Sequence, residues 1–168
     1  FMKTQGLTAN QASDLLKSTQ ALAKANDVAP DKVLEDVAKS TEAFAKFSKE
    51  GGENILEAAV FARKLGINLD AVAKTAEGVL NFNDSLNKEI EASIMLGRTL
   101  NLQKARELAM ANDMVGLQKE IVKQVGTEEE FNAMNAYQRQ ALADALGMEV
   151  SQIQKLVAGE KEALTLSG

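Results

Sequence analysis

Apolar residues recur along this chain at intervals of three, four and seven, and no stretch alternates with a period of two for long enough to make a strand. The pattern predicts an all-α protein, a bundle of about nine to ten short helices joined by glycine and asparagine corners, with no sheet. A first helix is expected from Ala9 to Ala25, with Thr8 as its N-cap. A second starts at Pro30, whose missing N–H costs nothing in a first turn, and runs to the Gly51-Gly52 pair with Val33, Val37, Phe44 and Phe47 inward. The third, Asn54 to Leu65, carries Ile55, Leu56, Ala58, Ala59, Val60, Phe61, Ala62 and Leu65, so it is apolar almost all the way round. Such a helix either occupies the centre of a bundle or turns a spare face to another chain.

Gly66 is expected to end that helix in a left-handed conformation, and Asn68 to cap the next, Leu69 to Leu80. Asn81 and Asn83 break the pattern before a helix from Asp84 to Leu96 that closes at Gly97. Further helices are read from Leu102 to Ala111 with Asn101 as cap, and from Met114 to Val125, closing at Gly126. Thr127 and Glu130 form a capping box that opens Glu128 to Met134. Ala136 to Leu146, closing at Gly147, and Ser151 to Leu164 complete the series. The structural corners are thus Gly66, Gly97, Gly126 and Gly147. Leu-Gly before a capped helix occurs at 65–66, 96–97 and 146–147, at unequal intervals, which excludes a solenoid of fixed period. One unbroken helix of this length would reach about 250 Å, and the glycine stops favour a compact form instead. Residues 1–52 read as an N-terminal helical hairpin and 53–168 as a helical bundle module. Because the chain starts at Phe1 and stops at Leu166-Ser167-Gly168, both are expected to belong to a longer polypeptide.

Composition narrows the chemistry. With no cysteine and no histidine, disulfides, thiolate nucleophiles, Ser-His triads and nearly every zinc or copper site are gone. A net charge of -5 opposes non-specific attraction to nucleic acid or anionic membrane. The runs Glu128-Glu129-Glu130 and Glu89/Glu91 read as helix charges; the first complements a helix dipole. There is no phosphate loop, no GxGxxG and no EF-hand spacing. No run of 18 apolar residues is present. Methionines 95, 110, 114, 134 and 148 read as core filler. The expectation is no enzyme, no catalytic, cofactor-binding or metal-binding residues, and no small-molecule substrate.

Residues 138–157 place Ala143, Gly147, Ile153 and Leu156 at the small, glycine and apolar positions of a helix-turn-helix. The second helix offers only Ser151, Gln152, Gln154 and Lys155 for contacts, so nucleic acid is not the expected partner of this segment. A helix-turn-helix adaptor or regulator, binding protein or nucleic acid through 138–157, stands as the alternative function.

The stretch KLGINLDAVAKTAEGVLNFNDSLNKEIEASIMLGRTLNLQKARELAMANDMVGLQKEIVKQVG, followed by FNAMNAYQRQALADALGMEVSQI, resembles a helical segment of phage tail tape measure proteins, of the contractile-tailed type. The likeness lies in the succession of corners: Leu65-Gly66, Leu80-Asn81-Phe82, Leu96-Gly97-Arg98, then Leu100-Asn101-Leu102 with Lys104, Ala105 and Arg106. It implies a structural virion protein that sets tail tube length during assembly and is released during genome ejection, found inside the phage tail and, during assembly, in the host cytoplasm. The implied partners are tail tube and baseplate or tail tip proteins and further copies of the chain. Three copies are expected, meeting through the third helix at Ile55, Ala58, Phe61 and Ala62.

Overall fold

The computed structural model, 81% helical, describes residues 9–48 and 52–167, which form eleven helices and include no strand. The helices are α1 (Ala9–Ala25), α2 (Pro30–Lys39), α3 (Thr41–Phe47), α4 (Glu53–Lys64), α5 (Leu69–Leu80), α6 (Phe82–Leu96), α7 (Gln103–Met110), α8 (Met114–Val125), α9 (Glu128–Ala133), α10 (Ala136–Leu146) and α11 (Val150–Ser167). Thr8, the expected cap of α1, lies outside the described residues. None of the helices among the described residues is long and apolar enough to cross a membrane.

Side chains close the helix ends much as their sequence implies. The Asn68 carboxamide oxygen accepts the Ala71 N–H at 3.0 Å to start α5, and Asp113 accepts the Gly116 N–H at 2.9 Å to start α8. Thr127 with Glu130, and Asn135 with Gln138, form reciprocal capping boxes at α9 and α10. Gly66, Gly97, Gly126 and Gly147 all hold positive φ, as do Asp27 and Asn112, residue types that tolerate this region.

Three expectations need correction. The second helix is interrupted at Ser40 (φ -97°, ψ 51°), whose N–H returns to the Asp36 and Val37 carbonyls while its own carbonyl accepts the Phe44 N–H. That break turns α3 so that Phe44 and Phe47 reach the interior together with Val33 and Val37. Asn81 separates α5 from α6 without a gap, since its carbonyl already accepts the Ser85 N–H, and Asn83 lies inside α6. Finally, one cluster of buried apolar side chains runs from Ala23 to Val157, so the boundary placed at residue 52 does not separate two cores.

α4 lies at the centre, packed against α1, α2, α5, α8 and α11. Five neighbours explain why a helix apolar on every side is stable here, because each face has an apolar surface to meet. Its C-terminal end is tied to α2 by Arg63, whose Nε and Nη2 donate to the two carboxylate oxygens of Asp36 at 2.6 and 2.7 Å. The turn before α4 is equally specific. A Cβ on Gly52 (φ +94°) would lie 2.4 Å from the Phe44 ring, so the ring covers bare backbone.

Candidate functional site

The sequence of α6 places small and polar residues on the side that faces the protein. Ser85 and Ala92 are buried, and Glu89 sits between them one turn from each. From α7, Arg106 reaches across: its Nη2 donates to Glu89 Oε2 at 3.1 Å and to Ser85 Oγ at 3.0 Å, and its Nε to Ser85 Oγ at 3.3 Å. The other Glu89 oxygen accepts the Leu102 N–H at the entry to α7. Next along the helix, Ser93 Oγ donates to the Glu89 carbonyl at 2.8 Å and accepts the Leu100 N–H at 2.9 Å. Three further bonds fix the far end of the element. Arg98 Nη2 donates to the Gln124 and Val125 carbonyls, and Gln138 Nε2 donates to the Met95 carbonyl at 3.1 Å.

With a hydrogen-bonded inner face, the apolar residues of α6 are left outside. Phe82, Leu86, Ile90 and Ile94, four residues apart, are 46%, 43%, 56% and 75% exposed. Each four-residue step advances about 40° around the helix, so the four cover an arc of about 120° that winds along its length. Asn83 and Ser93 fall on the same arc and Asn87 just beyond its Ile94 end, and no lysine, arginine, aspartate or glutamate lies on it. The charged residues lie to one side: Lys88 pairs with Asp84 at 2.9 Å, and the hydrogen bond to Asp84 raises the Lys88 pKa above its ordinary value. Beyond them, Met95 and Tyr137 are exposed across the groove between α6 and α10, and Met110 is exposed on α7. A soluble domain rarely leaves a continuous apolar strip of this kind open unless something binds there.

The four residues expected to meet a second chain are elsewhere. Ile55, Ala58 and Ala62 have no exposed surface and Phe61 is 7% exposed, because the five neighbours of α4 cover them. The Lys64 and Lys119 ammonium groups lie 5.9 and 5.7 Å from the Phe61 ring centroid and close its outer edge. The threefold contact expected at those residues therefore has no surface on which to form. Met95 and Met110 are exposed rather than core filler, whereas Met114 and Met148 are buried.

At residues 138–157, α10 and α11 meet at Gly147 with Ala143, Ile153 and Leu156 buried. Gln152 is used locally, its Oε1 accepting the Glu149 N–H at 3.0 Å, which leaves Ser151, Gln154 and Lys155 as the exposed residues of the first turns of α11. Among the described residues no group of three or more carboxylates is placed to hold a metal ion. No protein-family model, curated protein or solved structure matches this chain.

Sequence reasoning passed over α6, yet a signal was present. Ser85, Glu89 and Ala92 repeat at helical spacing on one face, and Arg106 is the cation that makes a buried Glu89 affordable.

Proposed function

We propose that this chain is a structural interaction module of a larger assembly, and in its finer form a folded segment of a phage tail tape measure protein that takes part in setting tail tube length and leaves the tube during genome ejection. The observation that carries the module reading is the inverted helix α6, hydrogen-bonded inside and apolar outside. The corners that carry the family resemblance, Leu80-Asn81-Phe82, Leu96-Gly97-Arg98 and Leu100-Asn101-Leu102, are the ones that hold α6 in that orientation, through Asn81, Arg98 and Leu102. In this reading the apolar strip meets tail neighbours or further copies of the chain, and the module performs no chemistry of its own.

Purified tails test it. Peptides from 82–96 and 103–110 are expected by mass spectrometry in intact virions and are expected to fall sharply once the genome has been ejected. Their absence from virions would remove the tape measure reading. The helix-turn-helix alternative predicts duplex DNA binding that survives about 200 mM salt and is lost when Gln152, Gln154 and Lys155 become alanine; no such binding is expected from one exposed cation in the first turns of α11.

A further inference from the structure

We infer that the interior between α4, α5, α8 and α11 binds one water molecule, which donates one O–H to Gln118 Oε1 and the other to Thr75 Oγ1 and so joins α8 to α5. The inference is independent of the assembly in which the chain serves and of whatever meets α6.

Gln118 sits on α8, is 4% exposed, and donates from Nε2 to the Ala58 carbonyl of α4 at 3.0 Å. That bond fixes the amide. Turned over, Oε1 would face the Ala58 carbonyl oxygen, acceptor against acceptor. Oε1 is therefore held away from α4, and among the described residues no donor reaches it. A buried carboxamide oxygen loses its hydration on folding, and leaving it unpaired is unfavourable enough that such atoms are as a rule met by protein or by ordered water.

The cavity beside Gln118 decides between the two. Gln118 and Thr75 line it together with apolar side chains that include Val72, Ile121, Met148 and Leu156. Thr75, 3% exposed, donates its hydroxyl proton to the Ala71 carbonyl one turn back at 3.1 Å, so toward the cavity its oxygen can only accept. Two acceptors with no donor between them require a guest that donates twice. The cavity leaves about 10 Å³ for the centre of a water molecule, close to the least that one water needs. An alcohol brings a single O–H and a carbon body too large for that room, and an ammonium ion would set an unpaired charge among apolar side chains. Water supplies two donors on one small uncharged molecule.

With the water in place, one residue of α8 is tied to α4 by its amide nitrogen and to α5 through its amide oxygen. Apolar packing is non-directional, so these bonds fix how α8 sits against both helices where the surrounding contacts do not.

Oxygen-17 magnetic relaxation dispersion on the whole 168-residue chain tests this, because it counts the water molecules that stay bound longer than the chain takes to tumble, with water itself as the probe. The parent chain is expected to hold one such water more than Gln118→Met, which keeps the length of the side chain and removes its acceptor. It is likewise expected to hold one more than Thr75→Val, which exchanges the hydroxyl for a methyl group. Circular dichroism checks that both variants are folded. A parent chain with no long-lived water, or an unchanged count in folded Gln118→Met, would overturn the inference. A count lowered by Gln118→Met and untouched by Thr75→Val would overturn the bridge to α5. Should Gln118→Met fail to fold, the parent chain and Thr75→Val suffice, and an equal count in those two would overturn the inference.

Discussion

Arg106 and Glu89 form an ion pair of 3.1 Å between α7 and α6, with side chains only 5% and 13% exposed. Ser85 Oγ accepts from the Arg106 guanidinium, and the Leu102 N–H donates to the other Glu89 oxygen, so each member of the pair is held by a second partner. The pair is why α6 turns a polar face inward, and so why its apolar residues face out.

Removing one member should therefore cost more than the pair contributes. Arg106→Ala leaves a carboxylate buried without its cation and is expected to destabilise the chain by about 3 to 5 kcal/mol in urea unfolding, whereas Arg106→Met with Glu89→Met should recover much of that loss. Equal stability of the single and double variants would show that burial of the charge is not the cause.

Gly97 and Gly147 share positive φ but differ in surroundings. A Cβ on Gly97 meets nothing within 4 Å; one on Gly147 would lie 3.4 Å from the Lys74 carbonyl oxygen and 3.9 Å from the Gly78 Cα, where α5 crosses the α10–α11 corner. Gly97→Ala should cost about 1 kcal/mol through backbone strain, and Gly147→Ala about as much, since a Cβ there meets α5 at ordinary van der Waals distance. Thermal unfolding of both variants checks that the two losses are alike.

Phe61 is packed inside the chain and not shared with another. Phe61→Glu should destabilise the monomer strongly, lowering its melting by circular dichroism, because it removes a packed ring and encloses a carboxylate that the Lys64 and Lys119 ammonium groups offset only in part. A folded variant with altered oligomeric state would restore the contact first expected on α4.

Burial lowers the Lys64 pKa below its ordinary value of 10.5, with Lys119 nearby adding to the effect. The unfolded chain holds the proton more tightly than the folded one, so the associated cost is fully present below the folded pKa and is relieved as pH rises through the unfolded value. An NMR titration should show the Lys64 side chain losing its proton at lower pH than the ordinary lysine value.

Much of the architecture is legible in the sequence because caps and glycine corners are local chemistry: Asn68, Thr127 with Glu130, and Gly97 act where they stand. The break at Ser40 is not legible, since no glycine or proline marks it and its cause is the pull of Phe44 and Phe47 toward a distant core. The position of α4 is half legible. An all-apolar helix must be covered, but whether by its own chain or another depends on how many neighbours surround it, and a sequence does not count neighbours. For α6 the usual inference reverses. Four apolar residues at four-residue spacing normally mark the inner face, and only the meeting of Glu89 with Arg106, separated by 17 positions, turns that face outward.

The central claim is that α6 faces outward with its apolar side, and the unfolding free energy of the Ile90→Asp, Ile94→Asp variant tests it most directly. It is measured in urea at a dilution where the chain is monomeric. If the two isoleucines stand in water, the charged variant should match the parent chain to within about 0.5 kcal/mol, as surface positions do. A loss of about 3 kcal/mol or more, the size expected for charges forced into a packed interior, would contradict the claim.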